Sequence, residues 1–412
     1  MILEFEGFIE NITYSPKFAV DKSINEYNLS DFDSNECASF GKIKVDDNDY
    51  IFFTKWVTPK RTRSYPFARL YNVYNTNSKI ITIIPIIKDE GGDSGNNDRI
   101  NAITFSWMNL LNVYIIVAYY ETAEKKQAGT RKTAANLKIK GKKVKTEYIT
   151  KQMFNNEYIK SKIKEVSKYK MTALHWNTKH FKEDFEKVWL KSVECYKKIS
   201  KDEKVELHSF DNHLKRLDEF KVDGIFNLEK FKEVMNKRSK EAQNREALTI
   251  HDLEVLNQGH NAKFYIENYL GGIYYLTCDE IFIENNKFII QESKNSSKGK
   301  FPAENDIKDG LFKLILFSNM ENLEYRKEEV DFTTRLKLTG NIDGDLVLPA
   351  EENIINDFLM RNNFTKKVQK IINDLNSDSS ENGISIHIGS NISVNQNNNT
   401  TTMNNNLDKF LE

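Results

Sequence analysis

The pattern of apolar and polar positions divides the chain into four stretches. In residues 1–124, β-branched and aromatic runs recur as GKIKV, DYIFFTKWV, ARLYNVY and KIITIIPII, separated by DDND, a Pro-containing stretch and NTNS. Short runs of this kind bounded by turn residues predict strands, here a meander with its own core. AITFSWMNLL and NVYIIVAYY, which follow, are apolar enough to be buried. In residues 125–245, apolar residues at three- and four-residue spacings, as in FEKVWLKSVECYKKI and NLEKFKEVMNKRSKEAQ, predict a mainly helical region. Residues 246–375 alternate: a helical pattern to Leu270, a break at Gly271-Gly272, an apolar hairpin, a helix from about Asp306, a strand at RLKLTG and further helix. Residues 376–412, rich in Asn, Ser and Thr, predict a disordered or peripheral tail. The fold class expected is α+β or α/β in a multidomain chain.

The hairpin CDEIFIENNKFIIQESK (278–294) carries the chemistry. Asn tolerates the left-handed conformation of a two-residue hairpin turn, so Asn285-Asn286 predicts a register in which Glu284 faces Lys287, Ile283 faces Phe288 and Ile281 faces Ile290. Asp279 then faces Glu292, with Lys294 one step further on the same face. Two carboxylates held that close resist ionising together unless a cation lies between them. Mg²⁺ accepts one or two carboxylates and completes its shell with waters and a substrate phosphate. With an ammonium beside it, the trio suits phosphodiester hydrolysis. The plain alternative is a solvent-edge hairpin whose terminal charges dissolve the strand ends.

Asp279, the thirteen-residue step to Glu292, then Ser293 and Lys294 resemble the D…E-x-K signature of the PD-(D/E)XK nuclease superfamily, the fold of many type II restriction endonucleases. Cys278 stands where the family name has Pro. The resemblance covers residues 260–340. It implies a mixed-sheet core flanked by helices, with 260–270 as helix, 273–294 as the strands carrying the motif, 306–318 as helix and 335–340 as a further strand. It also implies that Asp279 and Glu292 ligate Mg²⁺ with help from the Ser293 carbonyl, that Lys294 is the catalytic lysine, and that Glu267 on the preceding helix is an additional acid. A solvated side chain is the plainer reading of Glu267. E-x-K also occurs at Glu124-Lys125-Lys126 and Glu219-Phe220-Lys221, but neither ends an apolar strand behind a matched turn.

Charge changes the picture only locally. Sixty basic and sixty acidic residues cancel, so a polynucleotide partner has to be read from patches. KWVTPKRTRSYPFAR (55–69) interleaves Lys55, Lys60, Arg61, Arg63 and Arg69 with Trp56, Tyr65 and Phe67, a pattern suited to phosphate contacts and base stacking and equally to a basic loop at a sheet rim. Residues 125–145 hold nine basic residues and no acidic one, either a backbone clamp or a solvated linker. The loop 88–99, with Asp89, Glu90, Asp93 and Asp98, reads as a turn. Cys37, Cys195 and Cys278 lack C-x-x-C pairing, which argues against disulfides and zinc. His175 and His180, and His208 and His213, are each five apart and read as surface or packing residues. The longest apolar runs are too short to span a bilayer, and the N-terminus carries no secretory pattern. The expectation is a cytoplasmic, Mg²⁺-dependent endonuclease on double-stranded DNA, most concretely a type II restriction enzyme acting as a homodimer. Open beside it are a same-fold nuclease of repair, RNA processing or another defence system, and a non-catalytic nucleic-acid-binding protein.

Overall fold

The computed structural model describes residues 2–18, 24–46, 49–55, 78–89, 102–126, 149–253, 260–297 and 299–390. These residues form a mixed α+β protein with eight helices, divided into two units. Among them, the first unit holds 2–18 and 238–390, and the second 24–55 and 78–237. No helix of the described residues is long and apolar enough to cross a membrane.

The first unit is built on a nine-stranded sheet. In spatial order its strands are β15 (Glu328–Glu329), β14 (Asn322–Tyr325), β1 (Ile2–Ile9), β11 (His260–Asn268), β12 (Ile273–Glu284), β13 (Lys287–Asn295), β16 (Phe332–Gly340), β18 (Ser385–Ser390) and β17 (Leu346–Leu348). β12 runs antiparallel to both β11 and β13, β1 is parallel to β11, and β13, β16 and β18 are mutually parallel. Helix α5 (Leu228–Leu253) covers one face from Arg238 on: Lys240 sits over the Tyr265 ring, Asn244 accepts from Lys263, and the buried Gln243 amide donates to the Phe264 and Leu276 carbonyls. Helix α6 (Glu304–Ser318) covers the other, where Phe317 packs on Phe264, which stacks on Phe5. Helices α7 (Glu352–Asn362) and α8 (Lys366–Asn382) follow. Asp378 of α8 ties down the segment after β1, accepting from the backbone N–H of Lys17 and Phe18 and from the Tyr14 hydroxyl.

Three expectations for this unit are corrected. Residues 260–270 are not helical: Ala262, Phe264 and Ile266 are buried while Lys263, Tyr265 and Glu267 are not, the two-residue period of a strand packed on one face. Tyr269, just past the end of this strand, is exposed. The N-terminal strand belongs to this sheet rather than to a domain spanning 1–124, because ILEFEGFI finds its partner in β11, more than 250 positions away. The tail expected from Asn376 begins inside α8 and continues into β18, whose Ile386 and Ile388 are buried; residues 391–412 lie outside the described residues.

The second unit has a five-stranded sheet in the order β2 (Glu26–Asn28), β3 (Phe40–Asp46), β4 (Asp49–Lys55), β5 (Ile80–Pro85) and β6 (Val113–Ala118). Only β3 and β4 are antiparallel, so the sheet is not a meander. Helix α1 (Ala102–Leu110) lies between β5 and β6, a crossover of the kind parallel neighbours require; β6 is buried along its whole length. Two short pairs accompany it, β7 (Tyr120–Lys125) with β8 (Ile149–Phe154) and β9 (Lys221–Val222) with β10 (Ile225–Phe226). Helices α2 (Asn156–Lys168), α3 (Ala173–Glu203) and α4 (Phe210–Asp218) complete the expected helical region, which shares one unit with the strands before it.

Side chains of α3 satisfy β6: Asn177 accepts from the Ile115 N–H at 2.6 Å, Trp176 donates to the Ile115 carbonyl at 2.8 Å, and His180 Nε2 accepts from the Val117 N–H at 3.1 Å. An imidazole that accepts there is neutral, and burial pushes its pKa down accordingly. His180 is thus a packing residue.

Candidate active site

The hairpin between β12 and β13 is set by its turn. Asn285 and Asn286 have φ of 50° and 64°, the doubly left-handed turn that matches the twist of paired strands. The ladder pairs Glu284 with Lys287, Ile283 with Phe288, Ile281 with Ile290 and Glu280 with Gln291. It ends there, one step before Asp279 and Glu292. On the other side of β12, the register with β11 shifts by one residue between the pairs His260–Ile281 and Ala262–Cys278. The extra residue of such a bulge bends the strand and re-aims a side chain. Here Asp279 turns toward β13, and its Oδ2 accepts from the Ser293 N–H at 2.7 Å.

Glu292 is the buried centre of the site, its side chain 1% exposed. Lys294 Nζ lies 2.7 Å from its Oε1. Lys313 Nζ, reaching down from α6, lies 3.2 Å from its Oε2 and 3.0 Å from the Thr277 carbonyl. Burial pushes the Glu292 carboxyl above the usual range, and Asp279 adds to the rise while Lys313 and Lys294 pull against it. Burial likewise raises the Cys278 thiol, with Asp279 and Glu292 contributing. Asp279, Glu292, Lys294 and Lys313 therefore form one electrostatic cluster of two acids and two lysines.

The helix can approach this closely because position 310 is glycine. A Cβ there would lie 2.7 Å from Leu336 Cδ1 and 3.3 Å from both Cγ and Cε of Lys294. The aliphatic stem of Lys294 thus rests on the bare backbone of α6. Lys313 was missed in the sequence, yet it left a signal: in LFKLILF (311–317) every residue but Lys313 is buried.

Glu267 is not part of the site. It is exposed near the far end of β11, five positions beyond Ala262, which pairs with Cys278, hence about 17 Å along the strand. Lys60, Arg61, Arg63 and Arg69, expected to bind DNA, lie outside the described residues, as do 127–148 of the basic block. Lys55 is described and is structural: it is buried and donates to the Ser34 carbonyl at 2.7 Å. Asp89 is also buried, and its Oδ2 accepts from both the backbone N–H and Nδ1 of His208.

No group of three His, Cys, Asp or Glu side chains able to hold a metal occurs among the described residues. The donors present are instead two carboxylates and a carbonyl, since N–H and C=O of one strand residue point to the same edge and the Ser293 N–H faces Asp279. Among the described residues, Asp279 Oδ1 has no hydrogen-bond partner. Such a hard-oxygen set fits Mg²⁺, which keeps several waters and needs few protein ligands. It does not resemble a thiolate or imidazole site. The chain matches no family model, no curated protein and no solved structure.

Proposed function

We propose that Asp279, Glu292 and Lys294 form the active site of a Mg²⁺-dependent endonuclease of the PD-(D/E)XK kind, cutting duplex DNA as a homodimeric type II restriction enzyme. The observation that carries this reading is the convergence at the end of the hairpin ladder: the bulge turns Asp279 onto Ser293, beside a buried Glu292 that is ion-paired to Lys294. Element order supports it further. Helix α5, antiparallel β11–β12–β13 and helix α6 follow one another, and β16, parallel to β13, comes after the short β14 and β15; apart from those two strands this is the order the family has, with α5 in the place first expected of residues 260–270.

In this reading Asp279 and Glu292 hold the ion, with the Ser293 carbonyl as a third oxygen. A bound Mg²⁺ supplies Lewis acidity toward the phosphate and a water of lowered pKa. Lys294 orients that water or balances charge developing on the phosphate. Helix α6 shields the buried side of Glu292, which strengthens each electrostatic contact there. One feature favours a second reading: both oxygens of Glu292 are already held by lysines, a self-neutralised cluster that a non-catalytic nucleic-acid-binding relative could also retain.

Incubating the purified protein with supercoiled and linear duplex DNA, with Mg²⁺ or with chelator, beside Lys294→Ala, separates the two. Discrete fragments that require Mg²⁺ and vanish in the variant are expected. Binding without cleavage, unchanged by the substitution, would favour the second reading.

A further inference from the structure

The two lysines on Glu292 are held differently. Lys294 lies two residues along the same strand, and its Nζ meets Glu292 Oε1 at 2.7 Å. Its stem crosses α6 at Gly310, where no side chain obstructs it. Lys313 comes from α6, and its Nζ joins Glu292 Oε2 on β13 to the Thr277 carbonyl on β12. Moving Lys313 would break a bridge among three elements, whereas moving Lys294 releases a single contact to this carboxylate. An ammonium with two acceptors fixed on separate strands is also the better device for aiming a carboxylate, because it restrains the group from two directions.

Resting on the metal-site reading above, we propose that Lys313 is a positioning residue that stays on Oε2 and keeps Glu292 aimed at Asp279, while Lys294 is the exchangeable partner. Lys294 gives up Oε1 when a divalent cation binds between the two acids and is then free to reach a substrate phosphate. The free protein therefore stores its reactive lysine on a ligand atom. The substitutions of the two lysines must then act on cation affinity in opposite directions.

The test is Mn²⁺ binding to the full chain without DNA, followed by electron paramagnetic resonance. Lys294→Met removes a competitor and is expected to tighten Mn²⁺ about tenfold, the scale of one charge-assisted hydrogen bond. Lys313→Met is expected to weaken it by about the same factor, and Lys313→Arg to restore most of the loss. Equal tightening by both methionine variants, or no change in either, overturns the proposal. If Lys313→Met loses the wild-type thermal transition, Lys294→Met decides alone, and failure to tighten overturns it. Wild-type protein that binds no Mn²⁺, or an Asp279→Asn variant that binds it as well as wild type, overturns the metal-site reading itself, so the two failures are distinguishable.

Discussion

Replacing Gly310 by alanine sets two opposite effects against each other in α6. In an unconstrained helix interior the change stabilises by about 1 kcal/mol, because glycine has more backbone freedom to lose on folding. At this position the new Cβ would meet Leu336 Cδ1 at 2.7 Å, and Leu336 is fully buried. Overpacking a filled core costs about 1–3 kcal/mol, and the Lys294 stem, at 3.3 Å from two carbons, must also lift by a few tenths of an ångström. The expected balance is a net loss of about 1 kcal/mol. The described tryptophans, Trp107, Trp176 and Trp189, lie in the other unit, so fluorescence does not read this site. Amide hydrogen exchange in β13 and β16 does, and faster exchange is expected, together with weaker DNA cleavage because Lys294 is displaced. Slower exchange by the amount helix propensity gives would refute the close approach of α6 to the sheet.

Other expectations follow from buried charges. Asp378→Ala leaves the N–H groups of Lys17 and Phe18 and the Tyr14 hydroxyl without their acceptor and is expected to cost about 2–3 kcal/mol, seen as proteolytic nicking between residues 10 and 18; wild-type resistance would contradict it. Burial pushes His387 down to about 4, so the unfolded chain binds more protons between about pH 6.5 and 4, and stability from this group is full above that window and lost as pH falls through it. Burial pushes Asp378 up to about 6, which acts in the opposite direction below that pH. The comparison is therefore between wild type and His387→Asn, whose stability difference is expected to change by about 1.4 kcal/mol per pH unit in the window; parallel curves would contradict it. His213 in the second unit, likewise pushed down to about 4 by burial, is expected to behave the same way in His213→Gln.

The register of the β12–β13 hairpin was legible because a two-residue Asn-Asn turn fixes every pair by arithmetic, and Glu280–Gln291 through Glu284–Lys287 follow it. Strand β11 was not, since Ala262 and Ile266 fit a helical period and a strand period equally, and only burial of Phe264 between them decides. The bulge that aims Asp279 depends on the pairing of β12 with β11, so a hairpin considered alone cannot reveal it. Strands β1 and β18 join the sheet through partners distant in the chain, information that local periodicity does not contain. Lys313 is the lone charge in the apolar run LFKLILF and was passed over, because its meaning depends on α6 laying this face over Glu292.

The most direct measurement of the proposed activity is the single-turnover rate of duplex DNA cleavage at saturating protein and Mg²⁺, comparing wild type with Glu292→Gln. Glutamine keeps the size of the side chain and removes the charge that would hold the ion, but its single carbonyl oxygen accepts from only one of Lys313 and Lys294 while its NH2 faces the other, so the comparison requires that the variant keep the wild-type thermal transition. A rate reduced by about a thousandfold or more, with the DNA still bound, is the result expected of a residue that supports transition-state charge. Cleavage at the wild-type rate would contradict the assignment of this cluster as the active site.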